Sequence, residues 1–450
     1  MTTTAAAQGA TERREDDALL QELRAWLKDN WDPDLSVGEW WERLGLAGWA
    51  APSLPANAYG RDLSRADAVR VEQEIAAHGA LGAPGGLGLL LAAPTIAVHG
   101  TQAQIDRYVR GIVTGQDAWC QLFSEPQAGS DLAGLQTKAV RDGDEWVVTG
   151  QKVWTSGGQI ADYGMLLART DPEAPKHRGI SYFALPMHQP GVEVRPLREM
   201  TGRALFNEVF LTEAVVADDA RIGDLNDGWR VANTTLAFER AGLGAGGGSA
   251  GGGSGAMPGS VAGHLERRAG DFVAGPGRRA AGSDAAGPGS LARSGTALLV
   301  EAARRRGLLE DPVIRQGLVR LHILNELGRF NTARVKAARE AGRDVPGMPN
   351  IAKLTMSEVV RLVRDLGLQI LGPYGTLHGY SEDDRRQLAE ATGMAELTAI
   401  TEAALFAQAP PIYGGTDQIQ RNILGERVLG LPKEPGPDRD TPFSQLPKNA

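Results

Sequence analysis

The sequence predicts an α+β multidomain chain: an N-terminal α-helical domain, a middle β-domain of barrel or sandwich type, and a C-terminal helical bundle. Three observations predict it. Leu19, Leu20, Leu23, Trp26 and Leu27 recur at helical spacing near the start. Short apolar runs broken by turn residues then fill the stretch from Thr137 to Leu211. Helical spacing returns after residue 314. The order α, β, α is unlike a doubly wound chain, in which strands and helices alternate throughout.

The elements follow in order. Residues 1–13 read as a flexible tail, and 14–118 as the helical domain, where Gly and Pro punctuate short apolar segments up to about Gly115. The β-domain takes 119–222. Thr137–Val140 and Glu145–Thr149 flank Asp142-Gly143, a hairpin-turn signal. Met165–Ala168, Ile180–Ala184, Val192–Val194 and Glu208–Leu211 read as further strands. Residues 223–430 form the C-terminal helical domain, with apolar spacing over 314–340 (Leu318, Leu321, Leu324) and 350–371 (Ile351, Leu354, Leu362, Leu366). Of the 58 glycines, 17 fall between Ala241 and Ser290, so an irregular insertion is expected at about 242–297. Inside it, Leu265–Val273 has the make-up of a short helix. The tail 431–450 is polar and proline-rich, expected to wrap a surface or stay disordered.

Composition narrows the function. A length of 450 residues gives room for a buried core, and 23% charged residues is ordinary for a soluble protein. A net charge of −8 argues against a broad nucleic-acid surface, which needs a basic face. The single cysteine, Cys120, cannot form an internal disulfide and reads as a buried bystander. The seven histidines show no metal-ligand spacing, so no metal is expected. No apolar run approaches membrane-spanning length and no signal peptide is evident, which makes a cytoplasmic protein without membrane insertion the expectation. Two motifs carry little weight. Gly242-Leu243-Gly244-Ala245-Gly246-Gly247 fits a dinucleotide fingerprint and Gly247-Gly248-Ser249-Ala250-Gly251 a nucleophile elbow, but neither follows a predicted strand.

Two other segments are more specific. Gln121-Leu122-Phe123-Ser124-Glu125-Pro126-Gln127-Ala128-Gly129-Ser130-Asp131 runs from a strand into a tight turn with a small-residue tip, where backbone amides can approach a ligand. Gly150-Gln151-Lys152-Val153-Trp154-Thr155-Ser156 sets a large aromatic beside two hydroxyls, a combination suited to a planar heterocycle. Farther on come Phe238-Glu239-Arg240, Gln369-Ile370-Leu371-Gly372 and Pro411-Ile412-Tyr413-Gly414-Gly415-Thr416-Asp417-Gln418-Ile419-Gln420-Arg421. These motifs, in this order, resemble the FAD-dependent acyl-CoA dehydrogenase family. The resemblance runs from about residue 16 to 432, the glycine-rich insertion excepted.

The resemblance implies an acyl-CoA substrate, FAD as cofactor, an electron-transfer flavoprotein as acceptor, and a homodimer or homotetramer. It places Phe123, Ser124, Gly129 and Ser130 along the flavin and the neck of the acyl channel. It sets Trp154 over one flavin face, with Thr155 and Ser156 near its reactive edge. Thr416 and Gln418 match positions that hold the adenine-side phosphates and ribose. Arg305, Gln316, Gln369 and Gly372 match positions presented to a neighbouring subunit's FAD. Leu308 replaces a common phenylalanine, and Gln121 stands at a position often aromatic.

Many family members carry the catalytic glutamate at the position of Gly414, and glycine cannot take a proton. Other branches carry it on the helix matched by Phe238-Glu239-Arg240, including isovaleryl- and long-chain enzymes. The resemblance therefore implies Glu239 as the base that removes the α-proton, Arg240 and Ser130 as substrate contacts, and the Gly414 N–H as a donor to the thioester carbonyl. The vacated side chain at 414 implies a bulky, branched or long acyl group. Two alternatives stay open: an acyl-CoA oxidase or other O2-using flavoenzyme of the same fold, and a non-catalytic partner subunit of a heteromeric acyl-CoA dehydrogenase.

Overall fold

The computed structural model describes residues 18–244, 255–273, 288–433 and 440–447. Helix α1 (18–30) buries Leu23 and Leu27 against Trp40, Trp41 and Leu44 of α2 (Val37–Leu46). A capping box starts α2: the Glu39 amide donates to Ser36 Oγ at 3.1 Å, and the Ser36 amide to the Glu39 carboxylate at 2.9 Å. The buried indoles are satisfied, Trp40 by the Leu81 carbonyl at 2.7 Å and Trp41 by that of Gly82 at 2.8 Å. After α3 (Arg65–Ala77), a π-turn at Gly88–Ala92 leads into α4 (Ala93–His99). Gln102–Gln104 (α5), a second π-turn and Arg110–Val113 (α6) close the helical domain.

The β-domain is one mixed, seven-stranded sheet: β1 (Trp119–Leu122), β2 (Lys138–Asp142), β3 (Glu145–Ser156), β4 (Tyr163–Arg169), β5 (Ile180–Pro186), β6 (Val192–Leu197) and β7 (Phe206–Ala217). Its order is β1-β4-β2-β3-β7-β6, with β5 on β4. Gly143, at φ +61°, makes the expected hairpin turn between β2 and β3. The long pair β3–β7 has register shifts between Val148 and Gly150 and between Lys152 and Thr155. One apolar core runs from the helical domain through the sheet.

Helix α7 (Gly228–Gly244) packs on β5 and α4, where the buried hydroxyls of Thr235 and Thr95 meet at 3.0 Å. Beyond the insertion, α8 (Pro288–Arg305), α9 (Pro312–Glu340), α10 (Met348–Leu371) and α12 (Leu397–Phe406) enclose a second core around Leu299, Leu321, Val363, Leu366 and Ile400, with α11 (Glu382–Thr392) on its rim. Helix α13 (Asp417–Ile423) follows the glycine pair Gly414-Gly415.

One sequence expectation needs revision. Leu265–Val273 holds only a 3-10 turn at Ala269–Phe272. The carbonyls of Leu265 and Arg267 accept from the amides of Gly38 and Val37, each at 2.8 Å, so free first-turn donors of α2 outcompete a local helix. This part of the insertion is a strap on the helical domain; 245–254 and 274–287 lie outside the described residues. In the tail, 440–447 docks on the loop between β4 and β5. Residues 1–13 also lie outside the described residues.

Candidate active site

Glu239 lies on α7, four residues after Thr235, so the anchored hydroxyl and the carboxylate share a helix face. The residue keeps some accessible surface, but protein atoms crowd its carboxyl group. Burial pushes its pKa above the ordinary range, and a hydrogen bond from Gln121 on β1 and the nearby Arg240 charge oppose that rise only in part. Arg240 is exposed and is itself pulled down by burial, against the pull of Glu239.

The loop after β1 hangs on a buried ion pair. Lys152 is 0% exposed, and its ammonium reaches Glu125 at 2.8 Å and the Phe123 carbonyl at 3.1 Å. Glu125 also accepts the amides of Gln136 (2.6 Å) and Thr137 (2.9 Å). Burial alone would raise the Glu125 carboxyl; Lys152 and these donors outweigh it and hold the group low. Phe123 is buried edge-on to Tyr182, Ser124 is half-buried, and Gly129 and Ser130 stand exposed at the tip. A side chain built on Gly129 would meet nothing.

Trp154 sits in the second register shift of β3 at φ +63°, a conformation that costs a residue with a Cβ. It leaves the indole 58% exposed, braced edge-on by Phe206. The next residue, Thr155, is fully buried, and its hydroxyl has no protein hydrogen-bond partner. Ser156 is half-buried. A strained, exposed indole beside an orphaned buried hydroxyl fits a planar cofactor with a hydrogen-bonding edge such as FAD.

The Gly414 run is pinned to α10. Gly414 and Gly415 adopt φ +61° and +80°. Gln420 donates to the Gly414 carbonyl at 2.9 Å and accepts from Asn350 at 2.6 Å. Asp417 takes Lys353 at 2.9 Å, Ser357 at 2.8 Å and Arg361, which hold its carboxyl low against burial. Thr416 caps α13 by accepting the Ile419 amide at 3.1 Å, and Gln418 is exposed. Arg305, Gln316, Gln369 and Gly372 are all exposed on the C-terminal bundle. Arg305 already pairs with Glu301 and Glu396, so it would have to exchange partners to meet a phosphate. Cys120 is a bystander: burial lifts its thiol to about 12.

Sequence reading assigned no role to Lys152, Arg169 or Tyr413. Lys152 had a signal: it falls on the inward parity of Trp146 and Val148, with an acid in the preceding loop. Tyr413, whose buried hydroxyl lacks a partner next to Gly414, had none.

A strained, exposed indole on β3 and a desolvated carboxylate on a helix packed against the same domain suit a flavin-dependent oxidoreductase. Residues 13–116, 120–213 and 282–429 match the N-terminal, middle and C-terminal domains of acyl-CoA dehydrogenase. The chain is 38% identical to the acyl-CoA dehydrogenase FadE34 of Mycobacterium tuberculosis over 87% of its own length, but spans only 46% of that longer relative. It is 34% identical to the acyl-CoA dehydrogenase IpdE1 of the same organism, over 88% of both chains. A solved structure described as the Tcur3481-Tcur3483 steroid ACAD superposes with a TM-score of 0.64 at 26% identity, covering 94% of this chain and 98% of that one. The chain belongs to the acyl-CoA dehydrogenase family, FAD-dependent enzymes that act on acyl-CoA thioesters.

Proposed function

We propose that the chain oxidises a bulky acyl-CoA thioester to its trans-2-enoyl product with Glu239 as the α-proton base. The observation that carries this is the crowded Glu239 carboxyl, whose pKa burial raises, combined with glycine at 414. Bound FAD supplies the acceptor for the β-hydrogen, taken as hydride. Phe123, Ser124, Gly129, Ser130, Trp154, Thr155, Ser156, Thr416 and Gln418 hold it, with the Thr155 hydroxyl gaining the partner it lacks. Glu239 takes the proton, and its raised pKa makes it a stronger base once ionised. The Gly414 N–H steadies the developing enolate oxygen. Ser130 and Arg240 contact the thioester. The absent side chain at 414 leaves room for a branched or polycyclic acyl group, and the steroid ACAD neighbour supports that choice.

Helix α9 supports a partner subunit. Val319, Ile323, Leu327 and Phe330 are each at least 44% exposed and share one face with Gln316. A second chain of this fold on that face would receive Arg305, Gln316, Gln369 and Gly372 at its FAD. The partner is a second copy or a related chain. An electron-transfer flavoprotein is the proposed acceptor.

Anaerobic flavin bleaching by a panel of acyl-CoA esters tests the reading. Wild type should bleach with branched or polycyclic esters, faster as pH rises through the elevated Glu239 pKa. Glu239→Gln should keep its FAD and lose bleaching by about a thousandfold or more, as expected for removing a proton-transfer group. Undiminished bleaching by Glu239→Gln would refute the assignment; a clear preference for butyryl-CoA would refute the bulky-substrate reading.

A further inference from the structure

The C-terminal residues 440–447 return to the β-domain at one place. The amides of Phe443 and Ser444 donate to the carbonyls of Ala174 and Pro172 at 3.0 and 2.8 Å, and the Ser444 hydroxyl to Glu173 at 3.1 Å. Pro442 bridges Pro175. These contacts lay the Phe443 ring 3.7 Å from the Arg169 guanidinium.

Arg169, the last residue of β4, is only 4% exposed. Its Nη2 donates to the Ala133 carbonyl at 2.7 Å and reaches that of Leu135 at 3.4 Å; its Nη1 donates to the Lys176 carbonyl at 2.7 Å. Its own amide donates to the Thr137 carbonyl at 2.7 Å. The Lys176 ammonium reaches both carboxylate oxygens of Asp131, at 2.7 and 3.0 Å, one residue beyond Ser130. Arg169 also feels the charges of Glu125, Asp171 and Asp131, while burial pulls its pKa down to about 10. The guanidinium thus ties residues 133–135, just beyond the loop 124–131, to the Lys176 carbonyl, the Lys176 ammonium holds Asp131 at the end of that loop, and the buried Glu125–Lys152 pair ties its ascending arm to the strand carrying Trp154. Phe443 covers the first tie.

We propose that the C-terminal segment 440–447 is a strap that positions the flavin- and thioester-binding loop 124–131, with Phe443 acting through Arg169. This rests on the reading of that loop as a cofactor and substrate contact. Phe443 touches neither ligand; it is a positioning residue. Its face excludes water from a guanidinium whose Nη groups donate to the carbonyls of Ala133, Leu135 and Lys176 and whose buried Nε has no partner. Without the ring, water competes for those donors and the loop loosens. Glu239 lies on α7, outside this network, so proton transfer in the loaded enzyme is spared.

The test compares full-length wild type, Phe443→Ala and Phe443→Trp by amide hydrogen exchange, FAD dissociation constant, and kcat and KM with a working acyl-CoA ester. In Phe443→Ala, exchange across 131–137 should rise about tenfold, the loss expected for one desolvated cation–π contact. FAD affinity should fall and KM rise by a similar factor, with kcat at saturation within about twofold of wild type; Phe443→Trp should restore all three. Unchanged exchange in Phe443→Ala overturns the strap, whatever the flavin does. Faster exchange with unchanged FAD affinity and KM overturns it from the other side, by failing the loop reading on which it rests. An equal fall in kcat that Trp does not restore assigns Phe443 a general structural role and overturns it too.

Discussion

The β-domain and the C-terminal bundle differ in what they bury and what they leave out. Around β3 the sheet encloses polar groups at their own expense: Lys152 and Thr155 are fully buried, and the Thr155 hydroxyl lacks a partner. The bundle keeps its orphaned polar atoms, such as the Tyr413 hydroxyl, out of its main apolar core. Its core around Leu299, Leu321 and Leu366 is apolar, while α9 presents Val319, Ile323, Leu327 and Phe330 outward. The orphaned hydroxyl beside the exposed indole on β3 and the apolar face outside α9 both describe incomplete surfaces. The first fits a small polar cofactor and the second fits a protein.

The strongest way to break the comparison is to attack the buried pair. Lys152→Met leaves Glu125 ionised and unpaired inside the sheet, which should cost about 3–5 kcal/mol of stability. Adding Glu125→Leu should recover only part of this, because the amides of Gln136 and Thr137 then lose their acceptor. Denaturant midpoints measure both. Full recovery in the double variant would mean that the pair holds nothing beyond itself.

This contrast also marks what the sequence could disclose. The α, β, α order was legible because Asp142-Gly143 and the apolar alternation around it are local signals, and β2, β3 and α9 form where they predict. Glu239 became a candidate only through resemblance; on composition it is a Glu–Arg pair on a helix. The inward Lys152 keeps the parity of Trp146 and Val148, but a lysine at a buried position reads as exposed until its acid partner in the preceding loop is recognised. The left-handed backbone of Trp154 has no sequence signature, since nothing local distinguishes it from an ordinary strand tryptophan. Phe443 stacking on Arg169 joins residues far apart in sequence, beyond the reach of local patterning. Leu265–Val273 misled for the same reason: its carbonyls are claimed by α2, distant in the chain.

The second prediction concerns the outward face of α9. Ile323→Asp with Leu327→Asp should abolish assembly, read as mass by light scattering. The fold of the isolated chain should change by only about 0.5 kcal/mol or less, as exposed substitutions do. A loss of several kcal/mol without any change in mass would show that the face belongs to the chain's own core and would erase the contrast between the two regions.

The smallest stability effect belongs to the largest side chain. Trp154→Gly removes an indole that is 58% exposed and touches Phe206 edge-on. The left-handed backbone at φ +63° costs a residue with a Cβ about 1–2 kcal/mol, and glycine is relieved of it. Against this stand glycine's entropy in a strand, roughly 0.5–1 kcal/mol, and the lost aromatic edge contact of about the same size. The contributions nearly cancel, so the thermal midpoint of the FAD-free protein should barely move. If Trp154 stacks on the flavin as proposed, its loss removes a contact of the kind that contributes about 1–3 kcal/mol in base-on-aromatic pairs, so FAD should bind roughly ten- to a hundredfold more weakly. Titrating FAD into both proteins by fluorescence quenching gives the ratio. A Trp154→Gly protein that unfolds many degrees early would make the tryptophan a structural residue like Lys152; one that keeps both its stability and its FAD affinity would leave the strained backbone without a reason.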